Sequence, residues 1–493
     1  MTHPPVTRRP LVLAAMMLAM FMSAVEATIV ATAMPTIVAE LGGFQLFSWV
    51  FAIFLLTQAV TIPVYGKLAD MRGRKPVFYF GATIFLVGSV LCGFARSMEE
   101  LIVLRAVQGV GAGAVQPIAT TIVGDIYSPE ERAKIQGYLS SVWGISSVLG
   151  PALGALFAER LSWSLCFWIN IPVGIASMVM LGRNLHEEVA HREHRVDYLG
   201  AALLMGSVTL IMLGLIQGEA LHRERPGTLY LLFGLGGAGA LAFLWQERRA
   251  AEPVLPLTLW KDRIIAIGNG GAFVTGALMM AITSFLPIYV QGVLARSAML
   301  AGFALTMMSI GWPISSTIAG SLMLRTSYRF TALLGGALLL AGSVMLAALS
   351  PARGAGWAAA ASFVTGSGLG YCATTFLVSI QTAVPWQQRG VATSSNLFMR
   401  IVGQAVGTAL FGAVLNFGIG RRASDGALGS GVIDALMDPS RRGKLDGSLL
   451  AKLTSVLDAS LHEVYLIGAL LALITLVSVL FLPAGLKPNT QKP

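Results

Sequence analysis

Two charged residues, Glu26 and Arg105, stand inside stretches that otherwise suit the interior of a lipid bilayer. Glu26 lies in SAVEATIVATAMP and Arg105 in LIVLRAVQGVGAG. Because burial disfavours the charged form of a carboxyl group, an acid at this depth is a candidate for binding and releasing protons. Arg105 is its predicted partner, since a nearby guanidinium favours the ionised carboxylate. The alternatives are an acid that only satisfies a hydrogen bond, and an arginine that extends toward the outer headgroups.

The second concentration of charge is the segment GKLADMRGRK at residues 66–75, which lies between two apolar runs. Its charged residues are Lys67, Asp70, Arg72, Arg74 and Lys75. Basic residues between two spans mark a cytoplasmic connection. That rule explains the lysines and arginines but does not explain the aspartate.

Other polar and aromatic residues within apolar runs could line a substrate cavity. They are Gln58, Gln116, Asn269, Phe273, Asn396, Phe398, Arg400 and Gln404. Each of them could equally pack or hydrogen-bond one helix to another. For Arg400, a structural pairing with a carbonyl group is as good an interpretation as contact with substrate.

Small residues recur at helical spacing in GVGAGAVQPIA and in GISSVLGPALGAL, which contains Gly144, Gly150, Pro151 and Gly154. Such residues let helix backbones approach closely, and proline adds a kink. A packing face and a hinge need the same residues, so both interpretations stay open.

The composition predicts a polytopic membrane protein. Of 493 residues, 12% are charged and 55% hydrophobic, with a mean hydropathy of +0.73, whereas a soluble protein has about 25% charged residues. The net charge of +10 is attributed to loops on one side of a membrane, not to nucleic-acid binding. The three cysteines lie in apolar runs, which favours packing over a disulfide or metal site. The histidines of HEEVAHREHR, residues 186–195, have poor spacing for a metal.

Function classes other than transport find little support in the sequence. No phosphate-binding GxxxxGK[ST] loop is present, so an ATPase is not expected and a pump would use an ion gradient. No pairing of a nucleophile with a base suggests an enzyme. We therefore expect no cofactor, and protons as the coupling ion.

The apolar runs predict fourteen membrane-spanning helices, each about 20 residues or longer. Their predicted ranges are 11–37, 46–66, 77–95, 101–123, 136–158, 165–183, 198–218, 228–246, 264–290, 300–324, 329–350, 355–382, 392–416 and 461–484. With both termini in the cytoplasm, twenty lysines and arginines fall on the inner side and six in the short outer loops. This bias predicts the orientation.

The chain repeats itself at an interval of about 254–257 residues. Gly66 and Lys75 correspond to Gly320 and Arg329, and PEER, which ends at Arg132, corresponds to PWQQR. The interval predicts two related six-helix bundles, 1–185 and 264–484, joined by an additional helix pair at 197–247. The second bundle would contain a long external loop, 417–460. Repeated halves with a substrate site between them are typical of secondary transporters.

The chain resembles the fourteen-helix drug:proton antiporters of the major facilitator superfamily over essentially its full length. GKLADMRGRK is similar to the superfamily's signature between helices two and three. LIVLRAVQGVGAG resembles its helix-four motif, with Arg105, Gln108, Gly109 and Gly111 in place. GISSVLGPALGAL resembles the helix-five antiporter motif, and VEATIVATAMPTI the helix-one motif. LPIYVQ and PWQQRGVATSSNLFMR are similar to the fourteen-helix branch.

The resemblance implies roles for these residues. Asp70 and the arginines of 66–75, with Gly66, Lys67, Gly73 and Lys75, would form a latch on the inner face that holds the outward-facing state. The helix-five motif implies exchange rather than uptake. The chain departs from the family pattern at Glu26, where aspartate is usual, at Ala31, where asparagine is usual, and at Leu324, which stands where Asp70 has its counterpart in the second half.

We therefore expect a proton-coupled antiporter that exports hydrophobic, often cationic compounds by alternating access, as in multidrug efflux and antibiotic resistance. It would be a monomer in the cytoplasmic membrane of a bacterium. The alternative is an exporter of a lipid or lipid-linked metabolite, with an outer accessory protein docking on 417–460. A receptor or scaffold that transports nothing, and a nutrient importer, are the other candidates.

Overall fold

A computed structural model describes residues 7–127, 129–187, 197–218, 221, 225–250, 253, 257–385, 389–422, 436 and 439–483. Fourteen helices in these ranges are long and apolar enough to cross a membrane. Their bounds are α1 Arg9–Leu41, α2 Phe47–Arg72, α3 Arg74–Cys92, α4 Met98–Ile126, α5 Pro129–Arg160, α6 Leu165–Asn184, α7 Tyr198–Ile216, α8 Pro226–Glu247, α9 Arg263–Ile288, α10 Ala298–Arg325, α11 Tyr328–Ala347, α12 Gly354–Ala383, α13 Arg389–Arg422 and α14 Gly447–Val479. The predicted all-helical class and the fourteen spans are confirmed.

Two of the helices depart locally from regular α-helix. In α6, a single turn, Leu165–Trp168, precedes the main helix Asn170–Asn184. Helix α9 contains Pro287 and continues into a π-helical turn, Tyr289–Val293. π-Helical turns inside α-helices are rare overall, but those that occur are often found at functional sites.

The last span begins earlier than predicted, so the predicted external loop 417–460 is too long. Helix α13 continues to Arg422, a one-turn helix covers Pro439–Arg442, and α14 begins at Gly447 instead of 461. Asp446 caps α14 by accepting a hydrogen bond from Ser448 N at 3.1 Å. The first turns of α14 bury Leu453, Val456 and Leu457 and expose Lys452. This amphipathic pattern lowers the mean hydropathy, which hid the helix from the sequence analysis.

The additional helices α7 and α8 pack against each other, and α7 also packs against α2 and α13. Asp197 caps α7 by accepting from Gly200 N at 2.9 Å, and it also accepts from the Gln246 side chain of α8 at 3.0 Å. Asn416 of α13 donates to Ile216 O at 3.2 Å, which fixes the end of α7. The pair therefore packs on the side of the first and last six helices.

The internal repeat corresponds to matching helices. Helix α3 begins at Arg74 and α11 at Tyr328, an offset of 254 residues, and the preceding helices end at Arg72 and Arg325. We call the end of the molecule that carries residues 42–46 and 294–297 the outer end, following the predicted orientation, and the opposite end the inner end.

Candidate functional site

The carboxyl group of Glu26 lies in the interior of the first six helices. Glu26 is 1% exposed to solvent, and Arg105 is 2% exposed. The Arg105 Nη1 donates to Glu26 Oε1, forming an ion pair between α1 and α4. Arg105 therefore does not extend toward the headgroups, and the structure brings the two predicted residues together. An ion pair inside the protein is a strong constraint, because either charge alone would be costly to bury.

Arg105 is held by several other groups. Its Nε donates to Val50 O of α2 at 3.1 Å, and its Nη1 donates to Gln108 Oε1 at 2.5 Å. The guanidinium carbon lies 4.0 Å from the centroid of the Phe54 ring, a cation–π contact. Gln108 Nε2 in turn donates to Ser89 Oγ of α3 at 2.8 Å. The guanidinium is thus oriented before any substrate arrives.

Asn170 is the site residue that the sequence analysis missed. Its Nδ2 donates to Glu26 Oε2 at 2.6 Å, and the residue is 1% exposed. It belongs to α6, in the run LCFWINIPVG. The signal available was an amide side chain within an apolar span, the same feature that singled out Asn269 and Asn396. Both oxygens of Glu26 are therefore engaged, one by a cation and one by an amide.

The glycines of the helix-five motif bring α5 against the part of α1 that carries Glu26. A Cβ at Gly154 would lie 2.5 Å from Ile29 O, and one at Gly150 would lie 1.9 Å from Thr28 Oγ1. Around Gly144, by contrast, a Cβ would meet no atom of the described residues within 4 Å. Close backbone approach thus explains Gly150 and Gly154 but not Gly144.

Pro151 extends this contact to the last six helices. A Cβ at Gly302 of α10 would lie 3.0 Å from Pro151 O. Helix α5 therefore contacts α1, which carries Glu26, and also α10, which belongs to the second half of the protein.

The segment 66–75 comprises the last turns of α2, the single connecting residue Gly73 and the first residues of α3. Gly73 has φ +95°, a conformation that favours glycine. A Cβ at Gly66 would meet no part of the described chain within 4 Å. The side chain of Asp70 lies outside the described residues. Arg74 Nε lies 3.0 Å from Asp125 Oδ2 at the inner end of α4. Asp125 is 53% exposed, so this ion pair contributes little to stability.

The same turn is tied to the inner end of α6 by Glu187, which the sequence analysis did not select. Glu187 Oε1 accepts from Arg74 N at 2.6 Å and its Oε2 from Lys75 N at 2.9 Å. An acid in this position satisfies two backbone donors at the start of α3 and complements the helix dipole. Lys75 Nζ donates to Gly182 O and Leu185 O, both at 2.8 Å. These contacts all join helices of the first half to each other.

Several of the predicted cavity residues hold helices together. Asn269 Nδ2 donates to Ser395 Oγ at 3.1 Å, and Asn396 Nδ2 donates to Gly268 O at 3.1 Å. These bonds join α9 to α13. Phe398 is 4% exposed and packs in the core. Gln404 Nε2 donates to Met279 Sδ at 3.7 Å. Gln58 is buried, and Gln116 and Phe273 are half-buried.

Arg400 differs from this group. It lies in α13, half-buried, and its Nε is shielded from solvent without a hydrogen-bond acceptor among the described residues. Arg400 and Phe411 are eleven residues apart, about three helical turns, so they share one face of the helix. The Phe411 ring packs edge-on against Phe285, and Phe285 packs against Phe47 of the first half. Arg400 therefore lies on the face of α13 that packs toward α9, about 16 Å inward of the Phe411 ring.

The two halves meet at the outer end. Gln291 Nε2 donates to Thr32 O at 3.5 Å, Met299 N to Glu159 Oε1 at 2.9 Å, and Asn416 Nδ2 to Gln45 O at 2.9 Å. The rings of Phe47 in the first half and Phe285 in the second half have centroids 5.3 Å apart. Their contact closes the space between the two halves. These three hydrogen bonds join the first and last six helices at this end.

An outer crevice of 420 Å³ lies near these contacts, beside the one-turn helix Pro439–Arg442. Arg442 lines it and donates to Gly292 O at 2.7 Å and Gln291 O at 3.3 Å, at the end of the π-helical turn. Burial lowers the pKa of Arg442 from its ordinary value. The segment before α14 is therefore anchored to the same turn that contacts α1.

Comparison with known proteins identifies relatives along nearly the whole chain. The family model of the Major Facilitator Superfamily matches residues 16–408. Multidrug resistance protein 3 of Bacillus subtilis (strain 168) is 35% identical over 479 residues, covering 95% of this chain and 94% of that protein. The multidrug transporter protein MdtP of the same organism is 33% identical, covering 85% of this chain and 77% of MdtP.

Solved structures share the fold at low sequence identity. A bacterial homologue of the human lysosomal transporter Spinster, in an inward-facing and occupied conformation, superposes with a TM-score of 0.66 at 14% identity, covering 96% of each chain. The nucleoside transporter NupG superposes with a TM-score of 0.64 at 11% identity, covering 95% of this chain and 99% of NupG. The chain therefore belongs to the Major Facilitator Superfamily of transporters, and its relatives within that superfamily include multidrug transporters.

Proposed function

We propose that this protein is a proton-coupled antiporter that exports hydrophobic, often cationic compounds by alternating access. The observation that carries the proposal is the buried pair of Glu26 and Arg105, deep in the first six helices. Deep ionisable groups in membrane proteins are costly and commonly serve ion pathways. The multidrug-transporter relatives support the substrate class.

In this mechanism the carboxyl group alternates between two states. When Glu26 is ionised, Arg105 and Asn170 hold its two oxygens. A proton arriving on Glu26 removes the charge that Arg105 compensates, leaving the guanidinium held only by Val50 O, Gln108 and the Phe54 ring. Because an unpaired buried cation is unfavourable, protonation favours a rearrangement of α1 relative to α4.

A cationic substrate acts in the opposite direction. A positive charge entering between the halves stabilises the ionised form of Glu26 and so promotes proton release. Since both carboxylate oxygens are engaged and Glu26 is 1% exposed, we propose that the cation acts through the field of the carboxylate instead of replacing Arg105 in direct contact. Proton and cation then compete for one charge without sharing one position.

The change of access would be a rearrangement of contacts between the halves. The outer-end contacts, including Gln291 with Thr32 and Phe47 with Phe285, correspond to a state that is closed on the outside. Helix α5 contacts α1 through Gly154 and α10 through Pro151. Movement of α1 with the protonation state of Glu26 would therefore be transmitted to α10 and to the outer contacts. For export, the carrier with bound cation and ionised Glu26 must open these contacts, and the protonated carrier must close them again.

The proton gradient supplies enough free energy for useful export. Moving one charge through 100 mV yields about 2.3 kcal/mol. At 1.4 kcal/mol for each tenfold change, this corresponds to roughly a fifty-fold concentration ratio of an uncharged substrate exchanged for one proton. Exchange of one proton for one monovalent cation moves no net charge, so the pH difference alone drives it.

The test is proton movement driven by substrate. Everted membrane vesicles containing the protein are acidified inside, and ethidium is added as a lipophilic cation. We expect ethidium to dissipate the pH gradient with the wild-type protein and not with Glu26→Gln. Glu26→Asp keeps the acid and should retain part of the response.

Two results would contradict the proposal. If a panel of lipophilic cations causes no proton movement with a well-folded wild-type protein, the proposed coupling or substrate class is wrong. If Glu26→Gln responds as the wild type does, the antiporter remains but the coupling acid lies elsewhere, and Asp125 becomes the next acid to test.

A further inference from the structure

We propose that Asn170 is a positioning residue for the proton site: its side-chain amide holds the second oxygen of Glu26 and sets the pH at which the carboxyl group is protonated. This inference rests on the proposed function, because it concerns the same acid. It adds to the ion pair of α1 and α4 a third helix, α6, as part of the proton site.

The geometry assigns one donor to each oxygen of the carboxylate. Arg105 Nη1 donates to Oε1, and Asn170 Nδ2 donates to Oε2 at 2.6 Å. Arg105 neutralises the charge of the Glu26 carboxylate, whereas the uncharged amide of Asn170 helps to fix the orientation of that carboxylate. With both donors in place, the plane of the carboxylate is defined by contacts on either side, so the proton must arrive at an oxygen that is already hydrogen-bonded.

An amide suits this position because it can serve both protonation states. Toward a carboxylate, Nδ2 acts as a donor, as in this structure. Toward a protonated carboxyl group, the amide oxygen can accept the hydroxyl proton after rotation of the side chain. Asn170 therefore favours the ionised form in this conformation without blocking the neutral form.

The local structure of α6 places Asn170 at a fixed level. The helix is interrupted between Trp168 and Asn170, and Trp168 Nε1 anchors the preceding turn by donating to Val90 O at 3.2 Å. Two helical turns further on, Ser177 Oγ donates to Ala15 O of α1 at 2.8 Å. Helix α6 is thus held against α1 independently of Asn170, so loss of the amide should leave the helices packed.

The other titratable groups around Glu26 are few in the described part of the chain. Arg105 faces it from α4, and the buried thiols of Cys92 on α3 and Cys166 at the start of α6 lie near enough to interact with its charge. Where α5 and α9 contact α1 they bring Gly150, Gly154 and Gln291, which do not titrate. None of these neighbouring groups is a second carboxylic acid.

The experiment compares Asn170→Leu with Ser177→Ala. Leucine keeps the branched shape and the number of heavy atoms but removes the donor, and Ser177→Ala removes a hydrogen bond between the same two helices without touching Glu26. The purified proteins in lipid are titrated by infrared difference spectroscopy, using the carboxyl C=O band that disappears in Glu26→Gln. Thermal unfolding is recorded for each variant.

We expect the midpoint of the Glu26 band to move to higher pH by about one unit in Asn170→Leu, because a hydrogen bond to a charged group is worth roughly one pH unit. Ser177→Ala should lower thermal stability without moving the midpoint. Asn170→Asp, which keeps the shape, should move the midpoint upward because it places a second acid beside the first, and it serves if the leucine variant does not fold.

A midpoint in Asn170→Leu equal to that of the wild type, or an equal movement in Ser177→Ala, would overturn the inference. The spectroscopic result does not depend on transport. If ethidium moves no protons in the wild type but the midpoint shifts as expected, the proposed function fails while Asn170 keeps its role. If proton movement depends on Glu26 but the midpoint is unchanged, only this inference fails.

Discussion

Gly154 lies so close to Ile29 that a Cβ on the glycine would be 2.5 Å from the carbonyl oxygen of Ile29. Ile29 follows Glu26 by three residues on α1, and Gly154 belongs to the helix-five motif. The relationship gives that motif a physical role: it allows the backbone of α5 to pack directly on the helix that carries the buried acid. A backbone oxygen cannot move aside as a flexible side chain can.

Substituting this glycine should therefore disturb both stability and transport. We expect Gly154→Ala to lower the free energy of unfolding by about 1–3 kcal/mol, the usual cost of overpacking, and to reduce ethidium export. Gly144→Ala is the matched control on the same helix, because a Cβ there meets none of the described atoms within 4 Å. It should be neutral or slightly stabilising, because alanine favours a helix over glycine. Equal effects of the two substitutions in thermal unfolding and export would contradict this explanation.

The ion pair of Glu26 and Arg105 should show strong coupling in stability. Arg105→Met leaves a buried carboxylate without its cation, at a cost of about 3–5 kcal/mol for a fully buried pair. The double variant Glu26→Gln with Arg105→Met removes both charges and should recover most of that loss. Thermal unfolding of the wild type, both single variants and the double variant forms the test. Additive losses would show that the two side chains are not energetically coupled.

We expect Arg400→Met to change the free energy of unfolding in the opposite direction to Arg105→Met. The Nε of Arg400 finds no acceptor among the described residues, so the guanidinium is buried in part without compensation. We expect Arg400→Met to raise the free energy of unfolding by roughly 1 kcal/mol, since an uncompensated polar group is costly to bury, while export falls if the charge serves transport. A stability loss as large as that of Arg105→Met would show that Arg400 has a structural partner in this state.

Glu187 should matter more to the inner turn than Asp125 does. Glu187 accepts from two backbone N–H groups at the start of α3, whereas Asp125 forms an exposed ion pair with Arg74. We expect Glu187→Ala to cost about 1 kcal/mol locally, as loss of a helix cap does, and to increase tryptic cleavage at residues 72–75 several-fold in everted vesicles. Asp125→Asn should change cleavage little, because exposed pairs are weak. The reverse order of sensitivity would refute this assignment.

Several features of this protein could be predicted from sequence because they depend on local properties of the chain. Hydropathy over about 20 residues determines which segments cross the membrane, and the bilayer penalises backbone and side-chain groups without partners. For the same reason Glu26 and Arg105 stood out, since an acid and a base at similar depth have few other partners. The departure at α14 has a local cause too: its first turns expose Lys452 and bury Leu453 and Val456, which a window average does not distinguish from a loop.

Only the tertiary structure decided which partners complete the site. Asn170 reaches Glu26 across 144 residues, and Glu187 reaches Arg74 across 113. In the sequence, Asn170 looked no different from Asn269, yet one binds the acid and the other joins α9 to α13. The reason is that membrane insertion fixes the depth of a residue, whereas the rotation of its helix and the choice of neighbouring helix come from side-chain packing between segments distant in the chain.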